Sequence, residues 1–108
     1  MNKIFTKELL HTKRIKYNDI WMRSSWEVNF AQYCDKKNIK WQYESKTFDL
    51  GNTTYTPDFY LPAYDMYVEI KGYFRNNAKR KMTLFKKLYK DIELKLFDKQ
   101  HLIKLGVL

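Results

Sequence analysis

Tyr55-Thr56-Pro57-Asp58-Phe59-Tyr60-Leu61 and Met66-Tyr67-Val68-Glu69-Ile70-Lys71-Gly72 are the two runs whose pairing decides the fold. The second alternates cleanly between apolar and polar residues, the mark of a strand with one face in a core. Pro62 to Asp65 between them reads as a turn. If these residues form the loop of a hairpin, Leu61 pairs with Met66, and counting outward brings Asp58 opposite Glu69. Two carboxylates facing across an antiparallel pair have Cβ atoms about 4.5–5.5 Å apart, and like charges there destabilise the sheet. A divalent cation offsets that repulsion. Mg²⁺ suits it because this hard ion takes one or two carboxylates and keeps several waters for substrate phosphate.

Lys71 lies two residues beyond Glu69 and so points to the same face, with Tyr67, while Met66, Val68 and Ile70 point to the core. Charged residues on the wet face of a strand are ordinary, so Glu69 and Lys71 alone carry little weight. The facing Asp58 changes that, reached through Pro57, which fixes one backbone dihedral and cannot donate to a ladder. Two acids and a lysine at one depth form a candidate phosphodiester-hydrolysis site. A bound metal there would acidify a water and polarise the phosphate, and the lysine would position that water or offset developing charge.

Upstream, Ser24 with Glu27 three residues on is a capping-box pattern, followed by an apolar stripe at Trp26, Phe30, Tyr33 and Cys34. This predicts a helix from about Ser25 to Lys37, ended by Asn38. Glu27 has two competing readings from spacing alone: it closes the capping box, or it points along the sheet toward the acids. Ile39 to Glu44 and Thr47 to Leu50 read as strands, Gly51-Asn52 as a turn, and Thr54 to Leu61 as one continuous strand. Before this region, Ile15 to Trp21 reads as a hairpin turning at Asn18-Asp19, and Met1 to Lys13 as a short helix or an arm.

Downstream, a second helix opens at Asn76 or Asn77 and runs to about Lys90. Ala78, Met82, Phe85 and Tyr89 form its apolar stripe. Lys79, Arg80, Lys86, Lys87 and Lys90 lie on the opposite arc, and Lys81 alone sits on the apolar side. Ile92 to Phe97 alternates as a last strand, and Asp98 to Lys104 reads as a capped helical turn before Gly106. The expected class is α/β (α+β): helix, three-strand antiparallel meander, helix, further strand. Residues 1–22 are set apart as an N-terminal arm or hairpin, and 23–108 as the functional domain.

The 108 residues suit one domain, and 44% hydrophobic content excludes intrinsic disorder. No run approaches the length of a membrane span, and the charged start lacks the apolar core of a secretory signal, so a cytoplasmic protein is expected. Cys34 is the single cysteine, which excludes an internal disulfide, and with His11 and His101 it cannot make an all-protein zinc site. Cys34 reads as a small buried hydrophobe, and the two histidines as surface or core filler without identifiable partners. The formal charge of +9 is uneven. Residues 1–70 are nearly neutral, whereas the stretch from Arg75 to Lys90 carries only basic charges. Such asymmetry is the footprint of a polyanionic partner or a solubilising helix face.

These residues together resemble the PD-(D/E)XK nuclease superfamily. The likeness runs through Arg23-Ser24-Ser25-Trp26-Glu27, Trp41-Gln42-Tyr43-Glu44, the Tyr55–Pro62 segment and Val68-Glu69-Ile70-Lys71-Gly72. Within the superfamily the chain is similar to the phage endonuclease I type of Holliday-junction resolvase, and nearly as similar to phage homing endonucleases. The resemblance implies a restriction-endonuclease-like core. It also implies metal ligation by Asp58, Glu69 and the Ile70 carbonyl, with Lys71 as catalytic lysine and Glu27 as accessory carboxylate. The implied cofactor is Mg²⁺, with Mn²⁺ able to substitute.

The leading expectation is therefore a Mg²⁺-dependent DNA endonuclease selective for junctions or branched DNA. A homing-type or nicking enzyme of the same superfamily is the alternative, and a non-catalytic nucleic-acid-binding protein is the rival from another class. Arg23, Arg75, Lys79, Arg80, Lys86, Lys87 and Lys90 are the expected DNA contacts, reading phosphates rather than bases. A homodimer would suit a two-fold junction. No membrane partner is expected, because the strands need the second helix's apolar stripe for their own core.

Overall fold

The computed structural model describes residues 14–72 and 76–108. The segment Met1 to Lys13, expected as a helix or arm, lies outside the described residues. The chain then enters a hairpin of β1 (Ile15–Tyr17) and β2 (Ile20–Met22). Asn18 and Asp19 both take positive φ (52° and 64°), which a two-residue hairpin turn of this twist requires and which Asn and Asp tolerate. The hairpin is not a free arm along this stretch: Met22 is fully buried, and Tyr17 and Ile20 pack against the same core.

Helix α1 (Ser25–Lys36) starts where expected, with Ser24 Oγ accepting from Glu27 N–H at 3.2 Å. It ends at Asn38 in the left-handed region (φ 58°), with the Ile39 N–H returned to the Cys34 carbonyl at 2.8 Å. Its buried side carries Val28, Phe30, Ala31 and Cys34. Burial, and then the neighbouring Asp35, push the Cys34 thiol up to about 12, so it packs as a hydrophobe and is not a ready thiolate.

The strand read as continuous from Thr54 to Leu61 is two strands. β4 (Phe48–Asp49) pairs with β5 (Thr54–Tyr55) as a small separate hairpin, and β6 (Phe59–Leu61) begins only after Pro57. Lacking an N–H, Pro57 stops one ladder, and the chain re-pairs with new neighbours beyond it. The antiparallel meander is therefore β3 (Gln42–Tyr43), β6 and β7 (Met66–Ile70), with the β4–β5 hairpin inserted between its first two strands. β6 and β7 pair in the expected register, Leu61 with Met66 and Phe59 with Val68. The turn between them is a short 3₁₀ segment, Pro62–Tyr64, closed by Asp65 at φ 47°.

From β7 the chain crosses through α2 (Asn76–Leu88) to β8 (Glu93–Phe97), which lies parallel to β7 at the sheet edge. Sheet order is β3-β6-β7-β8. α3 (Lys99–Leu105) follows, capped by Asp98 and ended by Gly106 at φ 83°. His101, expected to be partnerless, is held by that cap: its N–H and its ring Nδ1 both meet Asp98 Oδ1, at 3.1 and 3.0 Å.

Two apolar clusters lie on opposite faces of the sheet. One joins α1 to Phe59, Leu61, Val68, Ile70 and Leu102. The other joins Met82 and Phe85 of α2 to Phe48, Tyr55 and Leu94, with Tyr67 and Leu96 packed against it. The Tyr67–Glu69 face, expected as site or solvated surface, is thus covered by α2 and the inserted hairpin, and it opens to solvent near Lys71. Among the described residues, no helix is long and apolar enough to cross a membrane.

Candidate active site

Glu69 ends the alternation of β7 on the α2 side, and its carboxylate is 4% exposed. Tyr55 OH donates to Glu69 Oε1 at 2.8 Å, and Lys71 Nζ lies 3.4 Å from Oε2. Lys71 follows the last residue of β7 and is half-buried. Asp58 sits one residue before β6, directly after Pro57, and is 1% exposed. Its Oδ2 accepts from the Ile70 N–H across the strand pair at 2.8 Å, and its Oδ1 is 2.7 Å from an Arg23 guanidinium nitrogen. The hairpin register therefore brings Asp58, Glu69 and Lys71 together.

Glu27 joins from the first turn of α1 and is 5% exposed. It does not close a reciprocal capping box with Ser24. Its Oε1 accepts instead from the Arg23 backbone N–H at 3.0 Å and from Tyr43 OH at 2.6 Å. Both readings of Glu27 thus hold a part of the truth: its N–H is capped by Ser24, while its carboxylate looks along the sheet. Gly72 allows this approach of helix to strand end, because a Cβ there would stand 2.7 Å from the Trp26 ring.

Arg23, expected only as a DNA contact, turns its side chain into this acid group. Besides Asp58 it meets Glu44 Oε2 at 2.9 Å. Glu44 is presented by a left-handed backbone (φ 48°) just after β3, with its N–H on the Asp58 carbonyl at 2.8 Å. Tyr43, Glu44 and Tyr55 were not singled out as site residues from sequence. The only signal available was the Trp41–Glu44 block itself, which carries two of them.

Electrostatically the group is short of positive charge. Burial raises the Asp58 carboxyl well above its ordinary 3.8, and Glu69 and then Glu27 add to the rise, against the Ile70 N–H and Arg23. Burial also raises Glu69 above 4.5, opposed by Tyr55, Lys71 and Arg23. The Tyr55 hydroxyl is pushed up by burial and by Glu69, so it stays a proton donor to that carboxylate. Buried hard oxygens that repel one another are a fitting donor set for a small divalent cation. Asp58 and Glu69 would hold it, and Glu27 would stand behind. Among the described residues no three His, Cys, Asp or Glu side chains converge as a metal-binding group.

Glu69 and Lys71 open onto a cleft of about 400 Å³, whose walls include Arg23, Thr56, Asn77 and Lys81. The remaining basic residues do not enter it. Lys79, Arg80, Lys86 and Lys87 stand exposed on the outer arc of α2, and Lys90 just past its end. Arg75, the other expected contact, lies outside the described residues.

The family model described as Phage endonuclease I matches residues 8–105, and the chain belongs to that family. It is 30% identical over 78 residues to endonuclease I of Escherichia phage T7, covering 68% of this chain. The match spans 52% of that relative, about half its length.

Proposed function

We propose that this protein is a Mg²⁺-dependent DNA endonuclease selective for branched DNA. The observation that carries the reading is the Asp58–Glu69 pair: two buried acids from facing strand segments, of which Glu69, with Lys71, lines a cleft walled by cations. Family membership supports the same direction. Asp58 and Glu69, with the Ile70 carbonyl, are the ligands in this reading, and Mn²⁺ substitutes for Mg²⁺. When bound, the ion supplies a more acidic water and a polarised phosphate.

The chain's own residues do the rest. Tyr55 and Lys71 hold the Glu69 carboxylate in one orientation, and the Ile70 N–H does the same for Asp58. Lys71, close to the cleft and to Glu69, offsets charge as the phosphorane-like transition state forms. Glu27, fixed by Tyr43 and the Arg23 N–H, adds negative charge behind the pair. Arg23 shields Asp58 and Glu44 from each other and faces the same cleft. The outer arc of Lys79, Arg80, Lys86, Lys87 and Lys90, with Arg75, tracks backbone phosphates. Such contacts follow the path of the strands rather than base sequence, which favours a junction, engaged by two copies, over a sequence-read site. The setting is the cytoplasm of a bacterial host.

The test compares cleavage of a four-way junction, a nicked duplex and a plain duplex, with Mg²⁺, Mn²⁺ or EDTA. Mg²⁺-dependent cutting of the junction above the plain duplex is expected, with Asp58→Asn losing cleavage by more than about a hundredfold while still binding. Binding of branched DNA without cutting in either ion would replace this reading with a non-catalytic one.

A further inference from the structure

One cation of α2 departs from the others. Lys79, Arg80, Lys86 and Lys87 are exposed, whereas Lys81 is half-buried and lines the cleft that holds Glu69 and Lys71. Its helix position explains this. Lys81 immediately precedes the buried Met82 and lies one turn before the buried Phe85. Its stem therefore starts along the packed side, and its ammonium reaches water through the cleft. Asn77, one turn earlier on the same helix face, lines that cleft too.

The other cations of the cleft already have anions. Arg23 meets Asp58 and Glu44, and Lys71 meets Glu69. Among the described residues, Lys81 has no carboxylate within the 4.0 Å of an ion pair. A half-buried lysine lining a cleft, with an exposed asparagine one turn earlier on the same wall and no carboxylate of its own among the described residues, is a site for an external anion.

We propose that Lys81 and Asn77 form a phosphate-binding subsite inside the cleft, which takes a non-bridging oxygen of the DNA phosphate lying against Glu69 and Lys71. The proposal rests on the nuclease reading above and assigns it a division of labour. The outer arc supplies general affinity, and this inner pair fixes the phosphodiester against the acids. Lys81 contributes the charge, and the Asn77 amide N–H donates the second hydrogen bond.

Single-turnover cleavage at saturating junction DNA separates fixing from affinity. Lys81→Gln is expected to lower the saturated rate by about tenfold to a hundredfold. Lys81→Arg restores most of it, and Lys104→Gln, the same charge change on the exposed α3, leaves it unchanged. A second readout needs no cutting: in EDTA, Lys81→Gln lowers the slope of log affinity against log salt by about one. Wild-type rate and wild-type slope in Lys81→Gln overturn the subsite, as does a lost rate that Lys81→Arg does not rescue with the slope unmoved. If the wild-type protein never cuts and the slope still falls, the subsite stands and the nuclease reading fails.

Discussion

The two faces of β7 serve different ends. Val68 and Ile70 meet Phe30, Ala31 and Cys34 of α1 in a wholly apolar cluster, where Phe30 packs edge-on to Phe59 at 5.0 Å and to Phe97 at 5.7 Å. On the other face Tyr67 joins the Met82–Phe85 cluster, but the next residue on that side, Glu69, is a buried acid. One strand with a period of two thus places an apolar core and a buried acid one residue apart. On the α1 side Val68 and Ile70 are buried and apolar, whereas the α2 side ends at Glu69, whose carboxyl burial raises, next to Asp58, raised by burial and then by Glu69 and Glu27.

The largest effect that would break the comparison is on the apolar side. Phe30→Ala is expected to cost about 3–5 kcal/mol, a large share of a small domain's total, measured by urea unfolding with the acids untouched. Next, Tyr55→Phe removes a hydrogen bond to a charged group, so cleavage should fall about tenfold while the unfolding midpoint moves little. A large midpoint fall with normal cleavage would place Tyr55 on the stabilising side instead. Third, Asp58→Asn should raise the stability of the protein in EDTA, on the order of 1 kcal/mol, because it removes one of the repelling charges. A fall would mean that the Arg23 pair outweighs that repulsion.

The smallest effect lies far from both clusters. Asp98→Ala removes the α3 cap and should lower Tm by a few degrees. The Asp98 carboxyl is held below 3.8 by the His101 N–H and then the His101 ring. Its contribution is therefore present above that ordinary value and disappears as pH falls through the lower folded one. Thermal scans of wild type and variant should converge in that acid range.

Much of this was legible in the chain itself. The β6–β7 register followed from the length of the Pro62–Asp65 loop, and with it the meeting of Asp58 and Glu69. Helix ends followed from Ser24, Asn38 and Asp98, whose side chains or backbone preferences act locally. What escaped was non-local. Arg23 lies 35 residues from Asp58, and Tyr43 16 from Glu27, so no spacing rule links them. The break at Pro57 was missed because Thr54–Leu61 has strand composition on both sides of it, and only pairing partners reveal two ladders. The parallel docking of β8 was likewise set by α2's crossover rather than by its own residues.

Gly72 makes a missing atom a structural part. Any side chain there would enter the space of the Trp26 ring, and Trp26 is the residue before Glu27. A substitution meant only to stiffen the exit from β7 would therefore have to displace the Trp26 ring, one residue from the helix-borne acid. Position 72 is thus a lever beside this centre that redesign could move without touching a single charged group.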